Sequence, residues 1–407
     1  MRILFMHRNF PGQFLHLARF LARDPGNRVA FITERKDRFL PGVLKVVYEL
    51  KKRGTSATHR YLRFFEEAVL HGQAAARAAM DLKKKGFVPD VIVGHTWGQT
   101  LFMKDVFPDV PLVGYFEWFY RARGSDVDFD RAYPLTIDRE ALVRIRNSHI
   151  LVDLYTCDQG ICPTNWQLDQ FPQEFRRKIS VIHDGIDTGY FRPGLVSGPV
   201  LPELNLDLSG ANEIVTYVSR GLEPYRGFPQ FMEAASLVLE KRPGCHIVIV
   251  GEDRVFYGRG LPEGKTYRQL ALETLSPDTT RLHFTGRIPY DQYRRILQAS
   301  SVHVYLTYPF VLSWSMLEAM STGCLVLASG TPPVTEVISD GVNGILIDFF
   351  SPRMIADKVI EALKNQGDLA GIRQRARETI LEGYDLKASL SRQMRLLTQC
   401  AGGAGPC

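Results

Sequence analysis

Cysteine is scarce in this 407-residue chain: six are present, at positions 157, 162, 245, 324, 400 and 407, and no two form a Cys-x-x-Cys pair. That spacing excludes a disulfide framework and gives no structural zinc pattern, so the default compartment is reducing and cytoplasmic. Long apolar runs are missing too, none approaching the roughly 18 to 20 residues that a membrane span needs. The start, MRILFMHRNF, lacks a signal-peptide pattern, because the strand-length run Ile3 to Met6 is followed at once by His7 and Arg8. The expectation is a soluble chain. Charge of one sign is not dominant either: the net charge is +6, and the first 190 residues, with 28 Lys and Arg against 22 Asp and Glu, hold all of the excess. Runs at Lys51-Lys52-Arg53, Lys83-Lys84-Lys85 and Arg176-Arg177-Lys178 suit either peripheral contact with an anionic membrane face or, more commonly, solvated helix ends. Nucleic acid is a poor partner for them, since no aromatic residues interleave and no nucleic-acid module is visible.

What the chain does have is apolar content, 45%, enough at this length for two domains with a core each. Strand-like apolar runs alternate with helical patterns, the signature of parallel sheets covered by helices on both faces. One series runs through Arg2–His7, Val29–Thr33, Val91–Gly94, Leu112–Phe116, Gly160–Pro163 and Val181–His183. A second runs through Ile214–Ser219, His246–Gly251, Leu282–Thr285, Val302–Leu306, Leu325–Ala328 and Gly344–Ile347. The spacing predicts an amphipathic helix over 62–85 and another over 386–399. Domains are therefore expected at 1–192 and 209–383, joined by a Pro-, Gly- and Ser-rich linker at 193–208, with a terminal helix at 384–400 and a disordered tail at 401–407. Open parallel sheets bind ligands beyond the carboxyl ends of their strands, so the two domains are expected to face one another across a cleft.

The loops at those ends carry the candidate chemistry. Between Tyr308 and Asp348 the sequence reads as loop, helix, buried strand and helix. The helix opening at Val311, Leu312 and Ser313 offers unpaired N–H groups to a diphosphate, with hydroxyls from Ser313 and Ser315. Glu318, a turn further in, is placed to accept hydrogen bonds from vicinal sugar hydroxyls. The plain alternative is that Ser315-Met-Leu-Glu318 is a capping box without a ligand. Arg220 ends a strand and Arg226-Gly227 opens the next helix, a spacing at which two cations can clamp a diphosphate or form a solvated surface pair. Gly251 and the pair Arg287-Ile288 follow buried strands, where backbone groups can read a nucleotide base or simply make turns. In the first half, Gly12 permits a tight turn after the first strand. His95 lies in the phrase GHTWG after a strand, and Glu117 directly follows Phe116 at another strand end. A carboxylate there can stabilise developing positive charge or orient a hydroxyl, or it can pair with Arg121 or Arg123. Asp126, Asp128 and Asp130 lack the Gly and terminal Glu of a calcium loop, so no metal site is expected.

The stretch YPFVLSWSMLEAMSTG resembles the donor site of family 4 glycosyltransferases, whose usual form has a Glu, seven residues and a second Glu before Ala-Met. Only the second is present, as Glu318; Phe310 stands at the place of the first. NFPGQF, YFEWFYR, PTNWQ, HDGIDT and PFVLSWS are similar to one bacterial subgroup. The resemblance covers nearly all of the chain. It implies a GT-B architecture of two Rossmann-like domains with the last helix crossing back to the first. It also implies retaining transfer of a sugar from a nucleotide-diphosphate donor to a small-molecule, glycan or lipid-linked acceptor. Glu318 would bind ribose, and Glu117 occupies a position where many members have a His. No cofactor or metal is implied, since Arg220, Arg226 and the helix N-terminus would supply positive charge. Trp97, Trp118, Phe119 and Tyr120 fit either a ring-shaped acceptor or the core. Two rivals stay open: a sugar-nucleotide epimerase or hydrolase of the same fold, and a non-catalytic nucleotide-sugar-binding partner, motivated by Phe310.

Overall fold

A computed structural model describes residues 1–194, 198–204 and 206–402. Expectations for 195–197, 205 and the tail at 403–407 lie outside the described residues. The chain divides into two units: Met1–Gly185 with Lys387–Cys407, and Ile186–Leu386.

The first unit is built on seven parallel strands: β1 (Arg2–Met6), β2 (Arg28–Thr33), β3 (Val43–Val47), β4 (Val91–His95), β5 (Leu112–Tyr115), β6 (Gln159–Cys162) and β7 (Ile179–Val181). Their order is β3-β2-β1-β4-β5-β6-β7. Alternate side chains of β1 point to opposite faces, Leu4 and Met6 into one core and Ile3 and Phe5 into the other, and all four are fully buried. Ala75, Ala79 and Leu82 of the helix Arg63–Lys84 cover one face. Phe14, Leu17 and Leu21 cover the other, where Leu397 of the helix Leu386–Ala401 joins them. Strand β3 was not among the expected strands. It is a sheet edge whose Leu44 and Val47 are solvent-exposed, so its apolar pattern is broken by Lys45 and reads weakly.

The second unit has a short antiparallel pair, β8 (Val200–Leu201) and β9 (Leu206–Asp207). Six parallel strands follow: β10 (Glu213–Gly221), β11 (Cys245–Glu252), β12 (Leu282–Gly286), β13 (Val302–Tyr305), β14 (Val326–Ser329) and β15 (Ile345–Ile347), in the order β12-β11-β10-β13-β14-β15. The expected linker thus contains structure. Leu201, Leu206 and Leu208 are buried against Ile214, Val248 and Ile296, which ties these described residues into the second unit. That unit begins at Ile186, which bridges to Asp385, and Phe191 lies in the core with Met316 and Leu317.

In each sheet the chain reverses direction beside its first strand, between β1 and β4 and between β10 and β13. A crevice opens outside the carboxyl ends at such a switch point; Gly12, His95, Arg220, Arg226, Val311, Leu312 and Ser313 lie at or beyond the ends of the strands that flank it, while Glu117 follows β5, Gly251 lies in β11, and Arg287 and Ile288 follow β12. Among the described residues no helix is long and apolar enough to cross a membrane.

Candidate functional site

At the switch point of the second unit, Arg226 closes the short turn Pro224–Arg226 and is 7% exposed. Its Nη1 donates to Thr307 Oγ1 at 2.7 Å, to the Val311 carbonyl at 3.1 Å and to Tyr305 Oη at 3.3 Å. These acceptors come from the end of β13 and the loop beyond it, so the arginine joins the two strands that flank the switch. All three bonds run through Nη1, leaving the Nε–Nη2 edge unused among the described residues; that edge has the geometry for bidentate pairing with a phosphate. Tyr305 Oη also accepts from the Ser313 backbone N–H at 2.9 Å. Ser313 caps the helix Trp314–Thr322, its Oγ accepting from Ser315 N at 3.3 Å. The capping-box alternative is thereby corrected: Ser315 lies inside the helix, and Glu318 bonds elsewhere. Val311 is therefore brought to Arg226 directly and Ser313 is linked to it through Tyr305, whereas the Leu312 side chain is buried in the core.

Arg220, at the end of β10, is exposed and lies 4.0 Å from the centroid of the Phe256 ring. Tyr257, the next residue, has its ring centroid 5.7 Å from the Arg226 guanidinium. The residue that fixes both rings went unread in the sequence. Glu223, fully buried, accepts from the backbone N–H groups of Phe256 and Tyr257 through Oε2 and leaves Oε1 without a hydrogen bond. Burial raises its carboxyl above the usual range. Phe310 is 7% exposed, its ring 5.2 Å from Tyr257 and 5.8 Å from Tyr225, so an aromatic cluster occupies its surroundings.

Glu318 stands apart from this group. Tyr293 donates to its Oε2 at 2.9 Å and Tyr290 to its Oε1 at 3.4 Å, both from the helix Tyr290–Ala299. Burial pushes the carboxyl up to about 7, against the opposite pull of the two hydroxyls. Arg287 is exposed and 3.9 Å from Glu252 Oε1, while the Ile288 side chain packs on the core. Gly251 is the penultimate residue of β11, where a Cβ would sit 2.5 Å from the Ser219 carbonyl, so close strand approach accounts for this glycine. No contact joins Gly251, Arg287 or Ile288 to Arg226 among the described residues.

The first unit presents a different chemistry. His95 ends β4, has no exposed surface and makes no hydrogen bond through either ring nitrogen. Its Nε2 lies 3.6 Å from Glu117 Oε2. Its ring is 4.8 Å from His7 and 4.0 Å from Trp97. Glu117 Oε1 accepts from Gln13 Nε2 at 2.7 Å, and its carbonyl accepts from Gln167 Nε2 at 2.6 Å. The alternative pairing with nearby arginines is not what the structure shows: Arg121 bonds the carbonyls of Asp169 and Gln170, and Arg123 bonds Glu140. Gly12 has φ of +56°, and a Cβ there would meet the His7 ring at 2.7 Å, so it makes room for a side chain of its own loop. Gln13, His7 and Gln167 were the unread partners. Of the aromatic candidates, Trp118 is buried, Phe119 and Tyr120 pack on the core, and Trp97 faces the two histidines. Asp128 caps the N–H groups of Gly124 and Ser125. Among the described residues no group of three or more metal-ligating side chains occurs.

Residues 25–191 match the model of the glycosyl transferase family 4 group, and residues 206–379 match that of the glycosyl transferases group 1. A D-inositol 3-phosphate glycosyltransferase of Segniliparus rotundus is 28% identical over 192 residues, covering 46% of this chain and 39% of that protein. One from Thermobispora bispora is 23% identical over 377 residues, covering 88% of this chain and 82% of that protein. The chain spans less than half the length of the first curated relatives it matches. In three dimensions it is similar to Anabaena Alr3699/HepE in complex with UDP-glucose, with a TM-score of 0.73 and 16% identity, covering 98% of this chain and 100% of that one. With two Rossmann-like sheets and both models matched in succession, the chain belongs to the glycosyltransferases of the GT-B fold, a family 4 group domain followed by a group 1 domain.

Proposed function

We propose that the chain transfers a sugar from a nucleotide-diphosphate donor to a hydroxyl acceptor, with retention at the anomeric carbon and without a divalent ion. The observation that carries this reading is Arg226, a buried guanidinium tied by Nη1 to Thr307, Val311 and Tyr305, with its bidentate edge unspent beside the Ser313-capped helix. A fixed cation and a helix N-terminus are the groups that stabilise a departing diphosphate, where other transferases use Mg²⁺. Arg220 adds a second positive charge at the same strand end. Glu318 is the ribose ligand in this reading: the vicinal hydroxyls would take over from Tyr290 and Tyr293.

In the first unit, Glu117 and His95 are assigned to the reacting sugar and the acceptor hydroxyl. Positive charge builds on the anomeric carbon as the diphosphate leaves, and a carboxylate stabilises it while accepting a hydrogen bond from the attacking hydroxyl. UDP-glucose is the first donor to try, because the structurally similar Alr3699/HepE is seen with it. D-inositol 3-phosphate is the first acceptor, from the name of the curated relatives. The acceptor class beyond that, and membrane contact through the basic first unit, belong to the same proposal.

The test is to incubate the protein with UDP-glucose in excess chelator, with and without the acceptor, and to assign the anomeric configuration of the product. Acceptor-dependent UDP release with an α-linked product supports the reading. Release without acceptor, or an epimerised sugar nucleotide, favours the hydrolase or epimerase. Tight binding with no turnover across a panel of donors and acceptors favours the binding protein that Phe310 in place of a first Glu would suit.

A further inference from the structure

Glu117 is held by a chain of hydrogen bonds with only one possible direction. The backbone N–H of Asn9 donates to His7 Nδ1 at 2.7 Å, so the proton of the neutral ring is on Nε2. His7 Nε2 then donates to Gln13 Oε1 at 2.7 Å, and Gln13 Nε2 donates to Glu117 Oε1 at 2.7 Å. Turning the Gln13 amide over would set its nitrogen against the imidazole N–H and its oxygen against the carboxylate, so the network assigns its orientation. Burial, reinforced by neighbouring His95, pushes His7 well below its usual range and keeps the ring neutral. Gly12 allows the arrangement, since a side chain there would strike the His7 ring.

We infer that Gln13 is a positioning residue for Glu117. It occupies Oε1 and thereby turns Oε2 toward His95, while Gln167 fixes the backbone of the same residue. The other titratable groups around the carboxylate are His7, His95 and Tyr115, the last donating through its hydroxyl to Asp184; no Lys or Arg pairs with Glu117 among the described residues. A carboxylate with one oxygen committed and no counter-cation presents a single free oxygen in a defined direction, which is what orienting a hydroxyl requires. This inference rests on the assignment of Glu117 to the reacting groups.

Two substitutions separate positioning from bulk. Gln13→Met keeps the length and removes both polar atoms. Gln13→Glu sets two carboxylates together at alkaline pH, but when protonated it regains one donor for Glu117 and one acceptor for His7. With UDP-glucose and D-inositol 3-phosphate as probes, Gln13→Met should lower kcat about 10-fold or more, with KM for UDP-glucose within about 2-fold. Gln13→Glu should be similarly impaired near pH 8 and should recover relative to the parent protein as the pH falls toward about 6. A parent-like kcat for Gln13→Met, or a Gln13→Glu to parent ratio that stays flat with pH, would overturn the inference. Nitrogen-15 spectra of the parent protein read the chain without turnover. The neutral Nε2–H form of His7 is expected, with a Gln13 amide resonance that moves on Glu117→Gln; a His7 protonated on Nδ1, or an unmoved amide, contradicts it. If the spectra agree but Glu117→Gln keeps full kcat, it is the assignment of Glu117 that falls.

Discussion

The two switch points share one topology and carry opposite chemistry. At β10 and β13 the groups are a buried guanidinium, an exposed one and a helix N-terminus. At β1 and β4 they are two imidazoles and the Gln13 amide, joined by the Glu117 carboxylate from beyond β5 and the Gln167 amide from beyond β6, and no cation pairs with that carboxylate among the described residues. Sheet order therefore supplies the crevice, and the residues following each strand decide which charge it receives. In the proposed reaction the second unit would meet negative charge and the first a developing cation or a hydroxyl proton.

The largest expected effect lies in the second unit. Glu318, raised to about 7 by burial, holds a proton in the folded chain that the unfolded chain releases nearer the ordinary carboxylate range. Its contribution to stability is therefore complete below about pH 4.5 and is lost as pH rises through about 7, a change on the order of 3 kcal/mol. Denaturant titrations across this window should show that slope in the parent protein and a shallower one in Glu318→Gln; identical slopes would remove the buried carboxylate from the account. Next in size, Arg226→Ala should weaken UDP binding by about 1.5 to 3 kcal/mol, whereas Glu117→Ala should leave it nearly unchanged. Equal losses in calorimetry would erase the division of labour between the switch points. Smaller again, Gly12→Ala should cost about 1 to 2 kcal/mol of stability, because φ of +56° and the His7 ring both oppose a side chain. A neutral melting curve for that variant would show that the loop can yield. Arg220→Ala should have the least effect, about 1 kcal/mol or less on UDP affinity, and that effect should shrink as salt is raised, since the group is exposed.

Periodicity revealed both sheets because their strands are apolar on two faces, and it located the helix Arg63–Lys84 to within a residue at each end. It missed β3, an edge with exposed apolar positions. The stretch at 193–208 misled for a related reason: Pro, Gly and Ser signal irregular backbone, but two-residue strands too short to show a period pair here as β8 and β9 and bury Leu201 and Leu206, with Leu208 just beyond. Single candidates at strand ends were readable one by one. Their partners were not, because Gln13 meets Glu117 across 104 residues, and Arg226 meets Thr307 across 81. The tyrosines on Glu318 were hidden likewise: they come from another helix, and nothing in a Ser-x-x-Glu phrase points to them.

In the proposed reaction, guanidinium groups and a helix start receive the diphosphate with no divalent ion assisting. A calorimetric titration of UDP into the protein in excess EDTA, repeated with Mg²⁺ in place of the chelator, decides whether they suffice. Equal affinity under both conditions is expected; binding that appears only with Mg²⁺ would refute the metal-free site.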